Sequence, residues 1–231
     1  RFCRIVMNKP RICAVIVNND LVAIKNIEPS VDLFEVRIDL IGDDWQKLVN
    51  QLNKPWIATN RTIAEGGKWQ GNEGRRIEYL LQAIELGAGI VDIELETKNL
   101  DNIIPLIKKR ANCILSFHDL EKTPPLDEMK NIVQRQLEAG ADICKFVSTA
   151  QGIEDNIAIL ELISAFEENK TVAFAMGQAG QFSRVFSPLV GAHFTYASIE
   201  RGKESAPGQI AVEEFLKIYG MLKGNLQNDI R

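Results

Sequence analysis

The sequence predicts an α/β protein folded as a single (β/α)8 TIM barrel. Eight short runs rich in Val, Ile and Phe recur along the 231 residues, and stretches with helical periodicity fill most of the gaps between them. Strand and helix in alternation imply a parallel sheet, and eight such strands in one chain imply a closed barrel. A doubly wound open sheet is the alternative. It is weakened because no GxGxxG turn follows the first strand.

The strands read in order as "ICAVIV" (12–17), "LFEVRIDL" (33–40), "PWIATN" (55–60), "IVDIEL" (90–95), "CILSFH" (113–118), "ICKFVS" (143–148), "VAFAMG" (172–177) and "HFTYAS" (193–198). Several are nearly continuous in apolar character, as strands covered on both faces must be. Between them, "GRRIEYLLQAIELGA" puts Ile77, Leu80, Leu81 and Ile84 on one helical face, with Gly87 as a stop. "PLDEMKNIVQRQLEAGA" repeats the design with Met129, Ile132, Val133 and Leu137 inward and Gly140 at the end. "EDNIAILELISAFEENK" and "GQIAVEEFLKIYGML" behave alike.

One domain is expected over residues 1–231, with residues 1–10 read as an extension and 221–231 as a tail. Met7 is a candidate start. The opening "RFCRIVMNKPRICAVIV" is basic and then apolar, but Pro10 and Arg11 interrupt it, and it is not read as a signal peptide. The hydrophobic fraction is 45% and the charged fraction 25%, as in ordinary globular proteins. A net charge of −4 and no long Lys/Arg run argue against a nucleic-acid partner. No apolar run approaches the roughly 18 residues of a membrane span, so no membrane partner is expected. Cys3, Cys13, Cys113 and Cys144 include no CxxC pair. They read as free thiols in a reducing cytosol, which implies a cytoplasmic protein.

In a parallel barrel the active site lies at the carboxyl ends of the strands, so polar residues there are the candidates. The second strand carries Glu35 and Arg37, two apart and therefore on one face, with Asp39 following. The third ends in Arg61. The fourth holds Asp92 and Glu94, the fifth ends in His118, the sixth carries Lys145, and Arg184 follows the seventh.

Lys145 sits among Cys144, Phe146 and Val147, where a lysine is costly unless paired or deprotonated. It reads either as a salt-bridged lysine or as a Schiff-base nucleophile. The second role needs a neutral amine, whereas an exposed lysine with pKa near ~10.4 is almost wholly protonated at neutral pH. An apolar flank and nearby cations would supply the difference. An alanine there is expected to leave a void but no unpaired charge. His118 reads as a hydrogen-bonded structural residue or as a general acid/base titrating near neutrality. On adjacent strands of one barrel the two residues reinforce each other. His193 starts a strand, the wrong end for catalysis, and is read as structural. Arg184 and Gln209 are surface polar groups or partners for a ligand carboxylate. "GKESAPGQ" (202–209) has the makings of a closing loop. "EGGKWQGNEG" (65–74) lacks the GK[ST] of a phosphate loop. HExxH and CxxC are both absent, so no metal site is expected.

"FEVRIDL", "TNRTIAEGG", "VDIELE", "SFHDLEKTP", "ADICKFV", "FAMGQAGQFSR" and "FTYASIERGKESAPGQI" stand in an order that resembles the type I 3-dehydroquinate dehydratase family, over roughly residues 11–220. The resemblance implies a lyase of the shikimate pathway, serving aromatic amino acid biosynthesis. It would convert 3-dehydroquinate to 3-dehydroshikimate through a lysine Schiff base, with no metal or dissociable cofactor. It implies that Lys145 forms the imine, that His118 moves the protons, and that Glu65 orients His118. Glu35, Arg37 and Arg61 would hold the hydroxyl-bearing side of the substrate. Arg184, Ser205 and Gln209 would clamp its carboxylate, and Met176 and Tyr196 would line the pocket. Asp92 and Glu94 would support the others. Phe174 stands where many members have methionine, and Tyr196 where many have phenylalanine; altered packing is expected from both. A homodimer is a further expectation. A class I aldolase would share barrel and lysine, but the carboxylate clamp and "SAPGQ" suit a ring acid better than a sugar phosphate. A ligand-sensing module on an inactive barrel is disfavoured by the intact Lys145 and His118.

Overall fold

The computed structural model describes residues 9–228, with side chains through residue 222. The candidate start Met7, most of the expected extension, Cys3 and residues 229–231 lie outside the described residues. The strands are β1 (Ile12–Ile16), β2 (Leu33–Arg37), β3 (Trp56–Thr59), β4 (Ile90–Glu94), β5 (Asn112–His118), β6 (Ile143–Thr149), β7 (Thr171–Met176), β8 (Thr195–Ser198) and β9 (Ile210–Ala211). The helices are α1 (Leu21–Ile27), α2 (Ile38–Ile41), α3 (Trp45–Val49), α4 (Glu73–Glu85), α5 (Leu100–Lys108), α6 (Leu126–Glu138), α7 (Ile153–Ala165), α8 (Gln181–Phe186) and α9 (Val212–Asn228).

All strand pairs are parallel, in the order β7-β6-β5-β4-β3-β2-β1-β8-β9, and the sheet curls into the expected barrel. The seam between β7 and β8 lacks a strand ladder. It is bridged at its base, where His193 N donates to Thr171 O at 2.8 Å, and higher up by an edge-on contact of Phe174 with Tyr196. His193 therefore lies just before β8, at the amino end, where Arg11 Nη1 sits 3.1 Å from its Nε2. Burial pushes its imidazole down to about 4.

Two apolar clusters follow from the period of two along each strand. One fills the space between barrel and helices. The other lies inside the barrel and includes Leu33, Ile57, Ile114, Ile143, Val172 and Phe194. Two residues further along the same strands stand Glu35, Thr59, Ser116, Lys145, Phe174 and Tyr196, with Asp92 at the matching place on β4. The apolar set is a floor that keeps water out from below, and the polar set rests on it.

The helices match their expected faces in part. In α4 the buried set is Arg76, Leu80, Ala83 and Ile84, with the expected Ile77 and Leu81 only half-buried; in α6 Gln136 is buried and the expected Leu137 half-buried. Each added polar residue has a partner in the barrel. Arg76 reaches Glu94, and Gln136 Nε2 donates to the Lys145 carbonyl at 2.9 Å, fixing β6 against α6. The last expected helix (208–222) divides into β9 and α9. That helix runs on to Asn228, into the segment expected as a tail. Among the described residues no helix is long and apolar enough to cross a membrane.

Candidate active site

The carboxyl ends of the strands enclose a cavity of about 290 Å³. Of the thirteen site residues expected from sequence, all but Asp92 and Glu94 line it.

Lys145 is 4% exposed. Its Nζ donates to Asp92 Oδ2 at 2.8 Å and to Glu35 Oε1 at 3.4 Å, and lies 4.2 Å from the centre of the Tyr196 ring. The amine is thus held by two carboxylates and the negative face of an aromatic ring. This differs from the apolar and cationic surroundings expected from sequence. The flanking Cys144, Phe146 and Val147 hid the difference, because the partners come from β2 and β4.

Arg61 ties the carboxylates together. Its Nη2 donates to Asp92 Oδ1 at 2.6 Å and its Nη1 to Ser116 Oγ at 2.6 Å; Glu94 Oε1 lies 3.1 Å away. Burial disfavours the guanidinium, but Asp92, Glu94 and Glu65 outweigh that and raise it further. Burial also opposes ionisation of Asp92. Arg61 and Lys145 overcome it and hold that carboxyl well below the usual carboxylate range. Glu94 is held in turn by Arg76 at 2.6 Å. Breaking one partner of such a buried pair costs about 3–5 kcal/mol, because a charge is left uncompensated. Arg61 lines the cavity, yet most of its donors are engaged within the protein. Arg37 is similarly committed, with a two-bond fork to Asp39 at 2.9 and 2.8 Å.

His118, at the end of β5, has Nδ1 2.7 Å from Glu65 Oε2. Glu65 comes from the loop after β3, which doubles back so that Trp69 N donates to Arg61 O at 3.1 Å. Gly67 makes that fold possible, since a Cβ there would lie 2.1 Å from Arg61 O. Burial pushes Glu65 up to about 8 against the pull of Arg61. Burial, then Arg61 and Lys145, hold His118 well below the usual imidazole value. Both members of the pair are therefore driven toward their neutral forms.

Across the cavity Arg184 is 1% exposed, on α8. Its Nη2 reaches Pro207 O at 3.4 Å, its Nε has no partner among the described residues, and its guanidinium stacks 4.3 Å over Phe174. Burial pushes it down to about 9. A buried cation with free donors is the natural receptor for a ligand carboxylate. Gln209 Oε1 accepts from Ser205 N at 2.7 Å and from Ser205 Oγ at 3.2 Å. The 202–209 segment rests on the β7 end through Gly177 N, which donates to Pro207 O at 3.0 Å. Gly208 has φ +72°, and a Cβ on it would lie 2.1 Å from Gly177 O. Met176, Phe174 and Tyr196 form the apolar wall.

Thr59, Ser116 and Arg76 escaped the sequence reading. Thr59 Oγ1 donates to Glu35 Oε1 at 3.0 Å, and Ser116 Oγ bonds Asp92 at 2.7 Å. The signal was spacing, since Thr59 is two residues before Arg61 and Ser116 two before His118. Among the described residues no group of three or more His, Cys, Asp or Glu side chains is placed to hold a metal ion. Cys13, Cys113 and Cys144 are buried free thiols, and burial pushes the last two up to about 12.

A lysine, a histidine–carboxylate pair and an unpaired arginine around one pocket at the carboxyl end of a (β/α)8 barrel define a barrel enzyme. A family model described as type I 3-dehydroquinase matches residues 12–226. The 3-dehydroquinate dehydratase of Dehalococcoides mccartyi (strain BAV1) is 39% identical, over 92% of this chain and 96% of that protein. That of Methanosarcina acetivorans is 38% identical, over 93% and 96%. The 3-dehydroquinate dehydratase structure from Geobacillus kaustophilus has the same fold, with a TM-score of 0.83 at 24% identity over 94% of this chain and 92% of that one. The chain belongs to the type I 3-dehydroquinase family.

Proposed function

We propose that this chain dehydrates 3-dehydroquinate to 3-dehydroshikimate in the shikimate pathway, through a Schiff base on Lys145. The observation that carries the reading is the convergence of Lys145, the His118–Glu65 pair and the unpaired Arg184 on one cavity. Arg184 receives the substrate carboxylate, with Ser205 and Gln209 closing over it. Glu35 and Arg37 engage the hydroxyl-bearing side, and Arg61 keeps Asp92, one of the two carboxylates that hold Lys145, in place.

An imidazole is too weak a base to take a ketone's alpha proton rapidly. A protonated imine supplies the missing electron sink. His118 Nε2 then removes the proton, the enamine forms, and its collapse expels the beta hydroxyl as His118 returns the proton. Hydrolysis of the imine releases the enone. We also read the chain as one barrel domain, a cytoplasmic enzyme and a homodimer. Adding 3-dehydroquinate should produce the ultraviolet absorbance of a conjugated enone. Protein that binds the compound without that absorbance would end the dehydratase reading.

Glu65 sets the pH dependence. Below about pH 8 its carboxyl keeps a proton directed at His118 Nδ1, which leaves the ring proton on Nε2. Above it, the carboxylate accepts Nδ1–H and Nε2 is free to act as base. Turnover should therefore rise with pH through about 8. In Glu65→Gln the amide oxygen accepts Nδ1–H at every pH. The rising limb should move to lower pH, and the plateau should fall by on the order of 10²-fold. A pH–rate profile with an unmoved limb would assign it to another group.

The 202–209 segment should change order with ligand. Gln209→Ala removes the acceptor that holds Ser205. It should raise KM by about tenfold, the equivalent of one ~1.4 kcal/mol hydrogen bond, and still permit imine formation at Lys145. Hydrogen exchange of this segment should slow when product binds; equally fast exchange with and without product would leave it an ordinary surface loop.

A further inference from the structure

We propose a second acid–base role in this cavity: the Glu35 carboxylate carries the protons that leave Lys145 Nζ when the imine forms and return when it is hydrolysed. This rests on Lys145 being the imine nucleophile. The proton balance requires such a carrier. An ammonium brings three N–H protons and the protonated imine keeps one. The other two leave as water with the carbonyl oxygen. A C–N bond forms, a C–O bond breaks, the net charge is unchanged, and nothing is oxidised or reduced. A group in contact with Nζ must take protons from it and deliver them to an oxygen in the cavity.

Nζ donates to two carboxylates, and they are not equivalent. The Asp92 side chain is wholly buried and does not line the cavity. Its Oδ1 already receives Arg61 at 2.6 Å and Ser116 at 2.7 Å, and those contacts, with Lys145, oppose its protonation. It is a fixed counter-ion. Glu35 does line the cavity, and its ion pair among the described residues is with Lys145. The hydrogen bonds it accepts from Thr59 and Lys145 both end on Oε1, so the second oxygen remains for exchange with substrate. The hydroxyl of Thr59 fixes the carboxylate in reach of the amine. The Tyr196 ring face covers another side of Nζ and offers no lone pair of comparable basicity. His118 is hydrogen-bonded to Glu65 and serves the neighbouring carbon. Nitrogen-directed and carbon-directed proton transfer thus fall to different residues.

The test is rapid-quench borohydride trapping at saturating 3-dehydroquinate, read by mass spectrometry of the intact protein, with enone absorbance followed in parallel. Glu35→Gln should slow formation of the reducible adduct by about 10²-fold or more, the usual worth of a positioned acid–base group. Once formed, the adduct should dehydrate to the still-bound unsaturated imine at the wild-type rate, read as loss of one water from the adduct mass, whereas release of the free enone should slow along with adduct formation. Glu35→Asp keeps the acid at shorter reach and should lose less. It also serves if the glutamine variant does not fold. Adduct formation at the wild-type rate in either folded variant overturns the proposal, as does a loss shared equally by adduct formation and dehydration. Absence of an adduct on Lys145 in the wild type would instead overturn the Schiff-base reading beneath it.

Discussion

Lys145→Ala should lose turnover by on the order of 10⁴-fold or more, the scale seen when the nucleophile is removed from a catalytic unit. Borohydride with 3-dehydroquinate should attach the ligand to the wild-type chain at Lys145, and the variant should take up none. Peptide mapping that found the adduct on another lysine would sink the assignment. The variant also tests the packing around the amine. A void without an unpaired charge was expected from the apolar flank, but the structure corrects this. Among the described residues, Asp92 would keep Arg61 and Ser116, whereas Glu35 would keep only the Thr59 hydroxyl as a hydrogen-bond partner. A buried carboxylate deprived of its cation costs several kcal/mol, about 3–5 by analogy with broken buried pairs. Lys145→Ala should therefore fold but unfold at a lower denaturant concentration than the wild type. Lys145→Ala, Glu35→Gln should regain part of that loss, because the double change removes both charges. A single variant as stable as the wild type would mean that the two carboxylates do not depend on the amine.

That correction marks the boundary of what was legible in the chain. The alternation of strand and helix is local, so eight strands were readable, with ends displaced by a few residues. The parity of Glu35 with Arg37 and of Asp92 with Glu94 is also local, and it placed each pair on one face of its strand. Pairing across strands is not local. Nothing in "ADICKFVS" says that Asp92 and Glu35 meet the lysine, since those residues lie 53 and 110 positions away. Arg76 was lost for a related reason. In a helix of otherwise ordinary amphipathic pattern it reads as a solvent-facing charge, and only the position of Glu94 in β4 makes its burial favourable. The two-residue β9 is too short to carry a period, so its backbone joins a sheet that the sequence gives no means of foreseeing. Phe174 and Tyr196 meet with ring centroids 5.9 Å apart. Their edge-on contact helps fill the β7–β8 seam, and Tyr196 brings a buried hydroxyl without a partner.

His118→Ala should separate the two chemical stages. Lys145 and the carboxylates that hold it are untouched by the change, because the side-chain partner of His118 among the described residues is Glu65. The imine should therefore still form. Removal of the alpha proton should fail, and the covalent adduct should accumulate to a level visible in the intact mass even before reduction. Turnover should fall by about 10²–10⁴-fold, the range for a positioned acid–base group. The loss should not be restored by raising the pH, because Glu65 ends on the far side of the missing ring and cannot reach the same proton. Added imidazole should restore part of the rate if it enters the space the side chain leaves. Its effect should grow with pH as the free base increases, since imidazole titrates near neutrality. Near-normal turnover in His118→Ala would return this residue to a structural role beside Glu65. A variant that forms no adduct would place His118 in imine formation itself and remove the division of labour between His118 and Glu35.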